Sequence, residues 1–227
     1  MDERFQRLEL LIGAESFDKL NASTVAIFGI GGVGSFATEA LARSGVGHLI
    51  LIDKDNIDAT NINRQIHALD STVGRSKVEV MRERILDINP AAQVETIQRF
   101  FLPSESVDDF FICRYDYVVD AIDTLTAKIF LIEECTRRGI KIISSMGAGN
   151  KLDATRFKVS DIFQTSTDPV AKIMRKQLKL RGIKNLKVVC SDEVPLPVKN
   201  FIGSTAFVPS VAGLILAGEV VKDLLNE

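Results

Sequence analysis

A chain of 227 residues with 46% hydrophobic and 26% charged residues is long enough to bury a large shared core, and its composition excludes a disordered or fibrous protein. A formal net charge of −2 denies any global pull toward nucleic acid, so recognition of RNA or DNA has to rest on a local patch. Three cysteines, Cys113, Cys135 and Cys190, are too few and too scattered for a disulfide framework, a C-x-x-C knuckle or a tetracysteine zinc site. Met1 is followed by Asp2 and Glu3, without the basic start and apolar core of a secretory signal. The longest apolar stretch, Phe207 to Val221, is interrupted by Pro209, Gly213, Gly218 and Glu219 and is too short for a bilayer, so no membrane association and a cytoplasmic location are expected.

In chain order, Arg4 to Lys19 carries Phe5, Leu8, Leu11 and Ile12 on one side and predicts an amphipathic helix ended or kinked near Gly13. Thr24 to Asp55 then reads TVAIFGIGGVGSFATEALARSGVGHLILIDKD. Its apolar run, glycine cluster, small-residue helix from Val33, second apolar run and terminal acid follow the order of a nucleotide-binding βαβ unit. Gly29, Gly31 and Gly34 satisfy G-x-G-x-x-G and Gly32 adds a fourth glycine, so the backbone turns tightly and approaches phosphates with no Cβ in the way. The N–H groups at the start of the helix would then face an anion. Asp53 follows Gly34 by nineteen residues, about the spacing at which an acid reaches a ribose hydroxyl.

The segment after Asp53 bears on which nucleotide is bound. A dinucleotide such as NAD needs one acid there, whereas DKDNIDATNINRQIHAL crowds Asp53, Asp55, Asn61, Asn63, Arg64 and Gln65 together. Ribose acceptors, a partner for a divalent cation and cations for the β and γ phosphates of ATP are all on offer. Gly74 to Asn89 has Val78, Met81, Ile85 and Ile88 at helical period and Pro90 just beyond, which puts Lys77 in the first turn of a helix. A cation there opposes the helix dipole, which points to a ligand requirement and not to helix stability.

Gln93 to Gln98 reads as a short strand, and Tyr117 to Ile122 as a buried parallel strand running up to Asp123. Carboxyl ends of parallel strands are where such sheets hold ligands. Leu125 to Arg138 is the next helix, and Ile140 to Ser144 the next strand, closing on a second glycine-rich turn, MGAGN. From Pro169 to Ser191 the chain carries Lys172, Arg175, Lys176, Lys179, Arg181, Lys184 and Lys187 with no acid, a basic stripe suited to a phosphate backbone or to a solvated helix face. Val188 to Pro197 reads as a strand running into a crossover, with no histidine nearby to activate Cys190 as a nucleophile. Val208 to Leu225 reads as a last helix, with small residues suited to close packing on the sheet or against a twin helix.

GIGGVG, then Asp53, Asp55, Asn61, Arg64 and Gln65 in the pattern D-x-D-x-x-x-x-x-N-x-x-R-Q, then Lys77 and Asp123, resemble the adenylation fold of ubiquitin-activating and sulfur-carrier-activating enzymes. NINRQIHAL, SSMGAGNKLDATRF, TDPVAKIMRKQLK and FVPSVAGLILAGEVVKDL narrow the resemblance to the tRNA threonylcarbamoyladenosine dehydratase family, over nearly the whole chain. That resemblance implies an α/β, Rossmann-like, mostly parallel sheet with helices on both faces, forming one adenylation domain over 1–227. It implies ATP-dependent activation of the threonyl carboxylate on tRNA, with Asp53 on the ribose, Asn61, Arg64 and Lys77 on the triphosphate, and Asp123 on Mg2+. It also implies a homodimer in which Arg7, on a segment lying over the nucleotide pocket, reaches the partner's triphosphate. Lys172, Arg175, Lys176 and Lys179 are the expected tRNA contacts, and room is left for a sulfur-relay protein partner. The competing expectation is an adenylyltransferase acting on the C-terminus of a ubiquitin-like or sulfur-carrier protein.

Overall fold

Two apolar strands with a glycine turn between them set the frame. The computed structural model describes residues 3–103, 106–197 and 202–226. Thr24–Phe28 (β1) pairs in parallel with His48–Ile52 (β2), and Gly34–Arg43 (α3) crosses between them. In β1 the side chains of Val25 and Ile27 enter one core, and those of Ala26 and Phe28 the other, as strand alternation requires. Both faces are therefore dry, which is why these strands read as continuous apolar runs and not as alternating ones.

Five further strands complete one sheet: Gln93–Ile97 (β3), Tyr117–Asp120 (β4), Lys141–Ser145 (β5), Phe157–Asp161 (β6) and Lys187–Ser191 (β7). The order is β3-β2-β1-β4-β5-β7-β6, parallel throughout except that β6 runs antiparallel on the edge beside β7. α3, Lys77–Ile88 (α4) and Val208–Leu225 (α7) cover the face of Val25 and Ile27. Leu125–Arg138 (α5) covers the face of Phe28, and Pro169–Leu180 (α6) packs beside it. The order reverses between β1 and β4, and the crevice at such a switch point is where doubly wound sheets bind ligands.

Several boundaries differ from the sequence expectation. β4 stops at Asp120, so Asp123 lies in the loop beyond the strand and not at its last residue. β6 had no counterpart, because an exposed edge strand carrying Lys158 and Ser160 lacks a strong hydrophobic pattern. At the N-terminus, Gln6–Ile12 (α1) and Ala14–Ala22 (α2) are separate helices, broken at Gly13 where φ is 86°. Phe5 is buried against Phe17, yet Leu11, assigned to the apolar face, is 81% exposed. The crossover after Pro197 passes through 198–201, which lie outside the described residues. Among the described residues no helix is long and apolar enough to cross a membrane.

Candidate active site

The carboxyl ends of β1, β2, β4 and β5 open on a cavity of about 1010 Å³, at the upper end of the range for ligand pockets. Gly29, Gly31, Gly32, Asp53, Asp55, Asn61, Arg64, Gln65, Lys77 and Asp123 all line it. Gly34 lies just beneath, because a Cβ there would stand 1.8 Å from the Gly29 carbonyl oxygen. Gly29 itself has φ 89° and would press a Cβ to 2.6 Å from the Ala121 carbonyl oxygen, so only glycine makes this turn. At Gly31, in contrast, a Cβ would meet nothing nearer than Gln65 Nε2 at 3.9 Å, so the space over that residue belongs to the cavity. No side chain caps the first turn of α3.

Asp53 sits one residue beyond β2, and its carboxylate accepts from the Ile30 N–H at 2.7 Å and the Asp55 N–H at 2.9 Å. It thus holds the glycine turn as well as facing the cavity. Burial pushes its pKa above the ordinary carboxylate value, against the opposing pull of Lys77. Asp55 is half-exposed; burial would raise its pKa, but hydrogen bonds from Lys54 and Lys77 outweigh that and lower it. Lys77 is buried and donates from Nζ to Asp55 Oδ2 at 3.0 Å. Asn61 is committed locally, its side-chain oxygen accepting from the Asp58 N–H at 3.1 Å as part of a reciprocal cap. Arg64 Nη1 donates to the Thr60 carbonyl at 2.7 Å, which turns the side chain along the cavity wall.

Gln65 is 6% exposed, and its Oε1 has no hydrogen-bond partner. A buried acceptor left unmet costs free energy, and one on a cavity wall marks where a donor belongs. His67 is different. It is 2% exposed and outside the cavity; burial foremost, then Lys77 and Arg84, push its pKa down to about 4, which keeps it neutral near pH 7.

The opposite wall is held by two buried ion pairs and one unusual backbone. Lys128 Nζ donates to Asp120 Oδ2 at 2.9 Å, Ser144 Oγ at 3.1 Å and the Ser145 carbonyl at 3.0 Å, which joins the ends of β4 and β5. Lys151 Nζ donates to Asp168 Oδ2 at 2.6 Å, behind the turn Gly147–Gly149. Asn150 has φ 58° and lies on the cavity wall. Its N–H donates to the Gly203 carbonyl at 2.8 Å, its side-chain oxygen accepts from the Gly203 N–H at 2.6 Å, and its carbonyl accepts from the Leu196 N–H at 2.7 Å.

Arg7 is exposed on α1, and among the described residues none of α1 or α2 lines the cavity of its own chain. The basic stripe is divided. Lys172, Lys176 and Lys179 are exposed on α6, while Arg175 is half-buried and donates to Thr165 Oγ1 at 2.5 Å. Arg181 pairs with Glu133, and Lys187 lies on β7 paired with Asp223. Lys54, Arg99, Phe100 and Asp168 also face the cavity, although sequence reasoning singled out none of them. Arg99 and Phe100 follow the carboxyl end of β3, a position the strand-end rule marks once the strand is placed.

Cys190 is 7% exposed on β7, and burial pushes its thiol up to about 11. A thiol at that value is overwhelmingly protonated at neutral pH and a poor nucleophile. Cys190→Ala is expected to leave turnover within about twofold of wild type, as the change removes little beyond one weakly bonded sulfur. Loss of product from a variant that still binds ATP would overturn this.

The ThiF family pattern matches residues 5–227. The tRNA threonylcarbamoyladenosine dehydratase of Bacillus subtilis (strain 168) is 50% identical over 246 residues, covering 100% of this chain and 96% of that protein. The Haemophilus influenzae protein of the same name is 43% identical, covering 100% of this chain and 95% of its own length. The crystal structure of E. coli tRNA N6-threonylcarbamoyladenosine dehydratase in complex with ATP superposes with a TM-score of 0.93 at 37% identity, over 99% of this chain and 94% of that chain. Full-length identity at this level assigns the chain: it belongs to the ThiF family and, within it, to the tRNA threonylcarbamoyladenosine dehydratases.

Proposed function

We infer that this protein is an ATP-dependent dehydratase that cyclises threonylcarbamoyladenosine in tRNA through adenylation of the threonyl carboxylate. The observation that carries the reading is the meeting of Asp53, Arg64, Lys77 and Asp123 in one cavity in a chain 50% identical to such an enzyme along its whole length. A carboxylate is a poor electrophile, because its charge repels nucleophiles and oxide is a hopeless leaving group. Adenylation removes both obstacles. The carboxylate oxygen attacks the α-phosphorus and pyrophosphate departs; a nitrogen or oxygen of the same modified nucleoside then attacks the acyl carbon, loses its proton, and AMP leaves with the former carboxylate oxygen. No protein nucleophile is required.

The protein's work is positioning and electrostatics. Gly31 and Gly32 let the backbone approach the phosphates, Gln65 Oε1 is an unmet acceptor for a hydroxyl or amine donor of the ligand, and Asp53 faces the ribose. Arg64 and Lys77 bring positive charge to the triphosphate. Asp123 is exposed within the cavity and supplies hard carboxylate oxygens, a donor type that fits Mg2+. The ion, when bound, would offset charge on the phosphates. The whole chain acts as one adenylation domain, and a homodimer would let Arg7 serve the neighbouring triphosphate.

Mass analysis of nucleosides from modified tRNA incubated with the protein and ATP tests the reading. A product lighter by one water with stoichiometric AMP is expected, and unchanged nucleoside beside AMP formation on a protein tail would reject it. Thermal shift should show stabilisation by ATP with magnesium and none by NAD.

Lys172, Lys176 and Lys179 would track the tRNA backbone. Affinity for tRNA should then fall steeply with salt, by roughly one log–log unit per phosphate contact. Reversing charge at Lys172 and Lys176 should flatten the slope by roughly two units and leave ATP affinity unchanged. Identical slopes in filter binding across a salt series would return this face of α6 to a merely solvated role.

A further inference from the structure

Asp168 and Lys151 are both almost fully buried, with side chains 1% and 0% exposed. What they do is hold two elements at once. Asp168 Oδ1 accepts from the Ala171 N–H at 2.9 Å, capping α6, and from the Gly147 N–H at 3.3 Å. Asp168 Oδ2 accepts from Lys151 Nζ at 2.6 Å, and the same ammonium donates to the Gly147 carbonyl at 2.5 Å. Both backbone groups of Gly147 are therefore fastened to one ion pair. A Cβ at Gly147 would lie 2.7 Å from Asp168 Oδ2, so the close approach is built for glycine.

Gly147 to Asn150 and the first residues of α6, Pro169 and Val170, all line the cavity. The exposed lysines Lys172, Lys176 and Lys179 stand on that same helix. A buried ion pair is a poor device for stability, since apolar groups of similar volume often serve as well, whereas it fixes position because its partners tolerate little displacement. We propose that Lys151 and Asp168 are positioning residues that hold the turn at Gly147 in register with α6, so that a tRNA seated on the helix presents its reacting carboxylate to the nucleotide at the correct distance. This rests on the tRNA reading above. Displacement of the turn by an ångström or so would slow the chemical step while leaving ATP, held at the opposite wall, bound as before.

The test uses Lys151→Met and Lys151→Gln in the full chain. Gln retains an amide donor for the Gly147 carbonyl or for Asp168, and Met retains neither. Single-turnover AMP formation at saturating ATP and saturating modified tRNA should fall at least tenfold in Lys151→Met and less than threefold in Lys151→Gln. The dissociation constants for ATP and for tRNA should stay within threefold of wild type in both. If Lys151→Met fails to fold, the double variant Lys151→Met with Asp168→Asn removes the lone buried charge, keeps a good helix cap and is expected to show the same tenfold loss. A wild-type rate in the Met variant, or in the double variant, would overturn the proposal. So would a loss of ATP affinity as large as the loss of rate, since the pair would then only shape the nucleotide pocket. Wild-type protein that forms no AMP with tRNA would instead reject the functional reading beneath it.

Discussion

Lys77→Ala is expected to lose ATP consumption by at least about 10²-fold while keeping its fold, as removal of one preorganised electrostatic donor commonly costs 10²–10³ in rate. Lys77 stands in the first turn of α4, where the helix dipole disfavours a cation, and its ammonium is almost out of solvent. Both features oppose a charged lysine there, and they are offset in the free protein by half-exposed Asp55, paired at 3.0 Å, and by the buried Asp53 at longer range. A triphosphate in the adjoining cavity would add further negative charge beside Lys77. Because Lys54 also pairs with Asp55, at 2.6 Å, truncating Lys77 does not strand that carboxylate. Arg64→Ala should behave alike, since its guanidinium lies along the cavity wall on the Thr60 carbonyl and contributes little to the core. AMP release in the presence of substrate tRNA is the measurement, with circular dichroism as the check on folding. Near wild-type release from either variant would remove that residue from the phosphate site.

Lys128→Met is expected to have the opposite profile, with the fold suffering first. Its side chain is 2% exposed and that of Asp120 is 0% exposed, so removing the ammonium leaves a carboxylate in the interior with only Ser144 Oγ and the Ile122 N–H to answer it. Breaking one side of such a pair costs about 3–5 kcal/mol. For a chain of this size each kcal/mol lowers Tm by roughly 2–4 °C, so a fall on the order of 6–20 °C is expected. Adding Asp120→Asn to Lys128→Met should recover part of that loss, because the amide keeps an oxygen for the Ser144 hydroxyl and carries no charge into the core. Urea unfolding of wild type, single and double variants decides it. A single variant within about 1 kcal/mol of wild type would show that the pair does not join β4 to β5 as described.

These two lysines also mark the limit of what the amino-acid order reveals. Lys77 was legible because its neighbours are local: a glycine turn, a strand-end acid and a helix start fall in sequence at spacings that backbone geometry imposes. Lys128 was not, since its partners Asp120, Ser144 and Ser145 belong to two different strands and meet only when α5 lies down on the sheet. A lysine in mid-helix reads as solvated from sequence alone, and burial is a tertiary property. The same holds for Lys151 and Asp168, seventeen positions apart and joined across the cavity wall. Arg175 shows the reverse error. Its place in a run of cations suggested a free charge, yet the helix turns it back toward Thr165. β3, β4 and β5 were read to within one or two residues at each end, whereas β6 escaped because an edge strand has no obligation to be apolar.

The left-handed backbone of Asn150 has a consequence for how the chain tolerates change in length. Leu196 and Gly203, which stand on either side of the crossover, are both fastened to that single residue. The two feet of the crossover are therefore set by one residue of the cavity wall. Closing a flexible loop grows dearer only with the logarithm of its length, about 0.6 kcal/mol for each doubling. Insertions between Leu196 and Gly203 should accordingly be absorbed at small entropic cost, as the anchoring bonds to Asn150 stay in place.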